Sequence, residues 1–255
     1  MQLFEILLVI LFALLGAVAA SFINAFALRK AEEKSNLKGR SECPNCKKTL
    51  TWYELFPIIS WVIQLGKCRK CKASISPRYL LSEIIGATTA ALTFIRFGLT
   101  LMTPIAFGIV VILLAIALID LSTTEISNKL IVALVPFAAL VMWQQSDVTL
   151  LSRAIGFAAI SLPMLILALI IKGAFGGGDI KLMAVCGFLL GWQCAILAFF
   201  LAVFVGGFYA LYLLLVKKAE KGTKIPFGPH LCIGITIAVL YGQEIISLYL
   251  SLFIW

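Results

Sequence analysis

Charge is what this chain has least of. Only 13% of its 255 residues are Asp, Glu, Lys or Arg, about half of the ~25% found in soluble domains. With 62% hydrophobic residues and a mean hydropathy of +1.07, a water-soluble globule is excluded. Histidine occurs once, at His230. It follows Pro229 with nothing paired to it nearby, so it is expected to meet backbone or water and not to carry catalysis. A cleavable secretory signal is excluded by what the first residues lack. Ala17-Val18-Ala19 imitates a cleavage site, but the only early charge is Glu5, and Arg29 and Lys30 come after the apolar run. The first segment reads as a retained helix with its N-terminus outside.

What is there is a series of apolar runs. A helix needs ~20 apolar residues to cross the hydrocarbon core. That length places helices at about 3–28, 81–97, 101–119, 129–145, 153–171, 180–191, 194–216 and 229–254, the sixth short enough to be a tilted or partial span. The fold class is therefore an all-α polytopic membrane protein of about eight transmembrane helices. Eight spans put both termini on one side. The loops 29–80, 120–129, 172–181 and 217–224 hold 12, 1, 2 and 4 Lys or Arg, 19 of the 21 in the chain, leaving only Arg96 and Arg153 opposite. Basic loops stay in the cytoplasm, so the net charge of +9 is an orientation signal and a pull toward anionic lipid. Glycines at 16, 86, 108, 156 and 206–207 are expected to permit close helix packing.

The seven cysteines divide in two. Cys186, Cys194 and Cys232 sit in apolar runs and read as small core residues. Cys43-Pro44-Asn45-Cys46 and Cys68-Arg69-Lys70-Cys71 are two C-x-x-C knuckles 21 residues apart in a basic loop. That spacing suits tetrahedral Zn²⁺ in a structural role, with all four positions filled by protein. Disulfides are the weaker option on a reducing side, and catalytic redox is a further alternative. Between the knuckles, Trp52 to Trp61 is too short to span but rich in aromatics that settle at headgroup level. The loop is expected to fold back onto the membrane surface and not to bind nucleic acid.

Two acids stand out against this background. Asp120 ends the third apolar run and Asp179 closes Gly176-Gly177-Gly178-Asp179. Neither sets the topology above, yet both fall on its cytoplasmic face. Acids at a bilayer boundary are functional candidates by default. Two carboxylates sharing one proton can activate water and protonate a departing amine. The glycines let a substrate backbone approach closely. Asp179 also suits a helix N-cap, or an ion pair with Lys181 or Lys129, but neither reading explains Asp120. A transporter would hold its acids at mid-bilayer on broken helices, and these lie at the rim.

These fragments, in this order, resemble the type IV prepilin peptidases, membrane aspartyl proteases of the G-x-G-D class. The resemblance covers almost the whole chain. It includes Ser21-Phe22-Ile23-Asn24, both knuckles, Ile75-Ser76-Pro77-Arg78-Tyr79, Ile119-Asp120, Gly178-Asp179-Ile180-Lys181-Leu182 and Ile225-Pro226-Phe227-Gly228-Pro229. It implies a bacterial cytoplasmic (inner) membrane enzyme with the zinc loop and both aspartates facing the cytoplasm. Asp120 and Asp179 would be catalytic, with Gly176, Gly177 and Gly178 as the active-site loop. Substrates would be prepilins or pseudopilins of pilus, secretion or DNA-uptake systems, cleaved after a glycine behind a basic leader. Many members also N-methylate the new terminus with S-adenosylmethionine. On this reading residues 1–28 are the first span, 29–80 the zinc loop and 81–255 the peptidase domain. Glu83 and Glu125 are expected to meet the basic leader. Two positions depart from the family pattern: Ala20 stands in place of a glycine, and Ser127 replaces a proline after Ile126.

Overall fold

The computed structural model describes residues 3–31, 41–145, 147–171, 173–216 and 226–253. The basic run 217–224, Lys172, the cations between 32 and 40, and Ile225 lie outside the described residues. Within them the chain is helical, with no strand beyond two isolated bridges. It forms two compact units, Met1–Leu99 and Thr100–Trp255. Among the described residues six helical stretches are long and apolar enough to cross a membrane, and the 17-residue Asn128–Gln144 helix is a shorter apolar one.

In the first unit, α1 (Leu3–Ala31) packs along α3 (Pro77–Phe97). Gly16 and Gly86 face each other so closely that a methyl group on either would overlap the other's carbonyl. Helix α3 begins four residues earlier than its apolar run. Ser76 accepts from the Arg78 N–H (3.3 Å), and Pro77 occupies the first turn, where its missing N–H costs nothing. A 3-10 turn at Trp52–Glu54 and the five-residue α2 (Ile59–Ile63) join the two knuckles.

The second unit is built around α4 (Met102–Thr123), apolar all round and the most enclosed of the six spanning candidates. Around it lie α5 (Asn128–Gln144), α6 (Leu150–Ala159), α7 (Ser161–Ile170), α8 (Gly177–Leu190), α9 (Trp192–Leu215) and α10 (Gly228–Phe253). Ile109, Leu113, Leu134, Leu182, Leu231 and Ile235 form part of the shared core. The single run expected over 153–171 is broken at Ile160. Pro163, in the first turn of α7, has no N–H to offer the Ala159 carbonyl and crowds it.

Helix α8 has 14 residues and spans about 21 Å at 1.5 Å per residue, short of the ~30 Å core. Its last carbonyls need donors, which Arg153 supplies. The fully buried guanidinium donates to Leu189 O (2.7 Å) and Phe188 O (3.4 Å), and also to Gln145 O at the end of α5 (3.2 Å). Gly156, one turn along α6, meets Gly187 of α8 with no room for a methyl on either. Arg153→Met leaves these carbonyls dry. A loss of ~1–3 kcal/mol is expected for each one left unsatisfied, read as a lower Tm in detergent. An unchanged Tm would show that the cap is dispensable.

Candidate active site and metal centre

Asp120 lies in the last turn of α4. The turn ends at Thr124, in the left-handed region (φ 54°), whose N–H bonds back to Asp120 O (2.8 Å). This reversal carries the chain into Ile126, Ser127 and α5. Asp179 sits in the first turn of α8. One oxygen, Oδ2, accepts the N–H of Gly176 (3.1 Å), closing the glycine run onto the carboxylate. Both acids are buried, with 4% and 9% of their surface exposed, and they are within electrostatic reach of one another.

Asp120 is held the same way from a more distant source. Its Oδ2 accepts the N–H of Gly228, the first residue of α10 and 108 positions along the chain (3.1 Å). A methyl group on Gly228 would lie 2.6 Å from that oxygen and 3.1 Å from Ile126 Cδ1. One on Gly178 would lie 2.7 Å from Ile126 Cβ. Ile126 is therefore a wedge touching both glycine segments that hold the carboxylates. Beneath them, Phe175 and Phe227, each preceding one of the clamping glycines, pack on one another (5.9 Å) and on Phe199 (6.4 Å each). Each acid thus spends one oxygen on a glycine N–H. Among the described residues neither Oδ1 has a hydrogen-bond partner.

The rest of the neighbourhood is structural. Lys181 donates to Asn128 Oδ1 (3.2 Å), tying α8 to the start of α5, so Lys181 is not drawn to Asp179. His230 is buried between Tyr209 (5.3 Å) and Phe227 (6.4 Å), with Gly206 beside it. Of the two acids expected to meet a leader, Glu125 is exposed, but Glu83 is buried. The Glu83 carboxylate accepts the Ile58 N–H (2.7 Å). That expectation is corrected: Glu83 is committed to its own unit.

In the first unit the two knuckles repeat one geometry. Cys43 N donates to Lys48 O and Lys47 N to Cys43 O; Cys68 N donates to Ala73 O and Lys72 N to Cys68 O, all at 2.9–3.0 Å. Lys47 and Lys72 take the same left-handed conformation (φ 56° and 60°). The four Sγ atoms lie within 4.8 Å of one another, with Cys43–Cys71 at 3.8 Å and Cys46–Cys68 at 4.0 Å. A tetrahedron with ~2.3 Å metal–sulfur bonds has edges of about 3.8 Å, so these four could hold one metal ion. Backbone donation from Ala73 brings the Cys71 thiol down to about 6. Glu54 braces the first knuckle, accepting from Lys48 Nζ (2.8 Å) and Thr51 N (3.0 Å). The Lys48 ammonium, then the Thr51 N–H, hold its carboxyl at about 2, below an ordinary 4.5. A depressed acid stabilises the fold at ordinary pH, and that contribution is lost only as the pH falls toward about 2.

A family model described as the Bacterial Peptidase A24 N-terminal domain matches residues 14–97, and one described as the Type IV leader peptidase family matches 107–211. A Bacillus subtilis protein called prepilin leader peptidase/N-methyltransferase is 35% identical over 237 residues, 93% of this chain and 96% of its own. The chain belongs to the type IV leader peptidase family. A Pseudomonas aeruginosa protein of the same name is 30% identical, covering 93% of this chain and 92% of its own. One from Stutzerimonas stutzeri is 33% identical over 83% and 75%. No solved structure matches.

The family setting gives Ser127 its interest. Ser127, where the resemblance leads to an expected proline, has φ −71°, inside proline's range, and its N–H makes no hydrogen bond among the described residues. The backbone φ here is one that proline can adopt. Ser127→Pro is expected to leave cleavage intact and add about 0.4–1 kcal/mol of stability through the unfolded chain, measured by thermal unfolding. A destabilised protein would mean the turn has relaxed elsewhere.

Proposed function

We propose that this chain is a prepilin leader peptidase and N-methyltransferase of the bacterial cytoplasmic membrane, with Asp120 and Asp179 as its catalytic pair. The observation that carries the reading is the pairing itself: two buried carboxyls from separate helices, each fixed by one glycine N–H, each with its other oxygen uncommitted. With one carboxyl ionised and one protonated, the ionised group takes a proton from water as the water oxygen attacks the carbonyl carbon of the scissile amide. The tetrahedral intermediate then collapses, the C–N bond breaks, and the amine leaves with a proton from the carboxyls. The leader gains a carboxyl end and the pilin a free amine. An extended substrate backbone lies along Gly176–Gly178, the one stretch of the site without side chains.

The segregation of cations supports an orientation with the cysteine loop and both aspartates at the cytoplasmic face and both termini outside. Cys43, Cys46, Cys68 and Cys71 would hold Zn²⁺, which when bound supplies a structural cross-link between the knuckles. Methyl transfer from S-adenosylmethionine rests on the resemblance and on the relatives' names, and no residue is assigned to the donor.

The test is to incubate purified protein in detergent with a model prepilin and read product masses. A leader-sized loss is the expected result, with a further methyl increment when S-adenosylmethionine is present. An intact precursor would overturn the reading. Atomic absorption is expected to find one zinc per chain in the unmodified protein and none in Cys71→Ser. Methylation lost with cleavage retained in that variant would mark the two activities as separable.

A further inference from the structure

The connector between the knuckles lies outside every span, yet it is the most apolar exposed surface of the loop. Trp52 is 78% exposed, Ile63 66% and Leu65 81%, and Phe56, Ile59 and Val62 are exposed with them. On a loop surrounded by water, such a patch would be an aggregation site. Exposed cations follow directly after it: Lys67, Arg69, Lys70 and Lys72, with the Arg69 guanidinium 5.1 Å over the Tyr53 ring.

The height of this patch is fixed by a spanning helix. Ile58 starts α2 with φ 63° and ψ −57°, a strained conformation for a β-branched residue. Its N–H is held at 2.7 Å by the buried carboxylate of Glu83. Glu83 lies six residues into α3, about 9 Å along its axis. The pin therefore sits more than one turn below the start of a membrane-crossing helix. Next to Glu83, Leu81, Ile84 and Ile85 of α3 are exposed, as lipid-facing residues of a span must be. The apolar patch thus lies level with a lipid-facing surface of the same unit.

We propose that residues 52–65 are an interfacial anchor, inserted into the headgroup layer of the bilayer that α1 and α3 cross, with the cations of the second knuckle seated on anionic headgroups. The occupant of this surface is lipid. The aromatic and aliphatic side chains bury at acyl-boundary depth, as in monotopic helices, and the Lys and Arg meet negative charge just above it. Glu83 sets the depth of insertion, and the four-cysteine cluster is carried at a fixed height above the membrane plane.

The experiment uses the full chain in liposomes with Trp52 as the only tryptophan, Trp61, Trp143, Trp192 and Trp255 being replaced by Phe. In vesicles of phosphatidylcholine with phosphatidylglycerol, Trp52 emission is expected to be blue-shifted. It should be quenched by lipids brominated near the headgroup end of the acyl chain, and protected from aqueous iodide. Glu83→Leu, which removes the acceptor of the Ile58 N–H, is expected to reduce this quenching with metal content retained. Vesicles lacking phosphatidylglycerol should give weaker quenching. Red-shifted emission that iodide quenches and brominated lipid does not would overturn the anchor. So would lipid quenching that is identical with and without phosphatidylglycerol, because the cations would then play no part. Trp52 emission that becomes blue-shifted only when prepilin is added would overturn it too, assigning the patch to substrate instead. Ile63→Glu with Leu65→Glu in the same background is the second variant. Loss of lipid quenching with one metal ion per chain still bound supports the anchor, and unchanged quenching refutes it.

Discussion

Replacing Asp120 or Asp179 with Asn is expected to reduce leader cleavage by about 10²–10⁴-fold in either single variant, the range of a positioned acid or base. The double variant should be little worse than the worse single. Groups that act on one water and one amide function as a unit, and the loss of either exhausts most of what the pair supplies. The change is close to isosteric, and each Oδ2 accepts a backbone N–H that an amide oxygen can still accept. Thermal stability should therefore stay near that of the unmodified protein. Initial rates on a model prepilin, read by product mass, measure the effect. Near-full activity in either variant would remove that carboxyl from the chemistry.

Gly228→Ala should produce the second large effect without touching an acid. The added methyl would sit 2.6 Å from Asp120 Oδ2 and 3.1 Å from its Cγ, so either the carboxylate turns away or α10 draws back. Both break the N–H bond that aims Asp120. A misplacement on the order of 1 Å costs about 10²-fold in a positioned reaction. The expected signature is a fall in kcat with KM little changed, since the glycine supports the reacting group and not the bound chain. Gly207→Ala, on an exposed face of α9, is the control, because a methyl there meets nothing. Equal losses in the two variants would argue against a specific contact.

The candidate acids and the four clustered cysteines were legible in the sequence because each is anomalous where it stands. Acids at the ends of apolar runs and paired cysteines in a polar loop are visible without a fold, and local apolar length placed most of the helices. Other features were hidden for identifiable reasons. The start of α3 was obscured because Ser76-Pro77-Arg78 reads as loop chemistry, although serine followed by proline is also a helix start. Pro163 was a readable cause of the break at Ile160, masked by apolar residues on both sides. The Gly228–Asp120 bond joins residues 108 apart, and no local pattern reports it. Arg153 counted in the sequence only as one of two cations opposite the basic loops, but it is buried and caps two helix ends. Glu83 shows the converse. Its charge and predicted side suggested a substrate contact, and packing uses it to hold Ile58.

The pairing of Asp120 with Asp179 around one tetrahedral carbon can be tested without turnover. A prepilin peptide whose scissile amide is replaced by a hydroxyethylene unit places a hydroxyl where both carboxyls would meet the attacking water. Calorimetric binding to the unmodified protein should exceed that of the matching amide peptide, bound to the double Asn variant, by at least about 10²-fold, the lower end for transition-state mimics. Each single Asn substitution should erase most of that gain. Equal affinity for the two peptides, or a gain that survives either substitution, would contradict it.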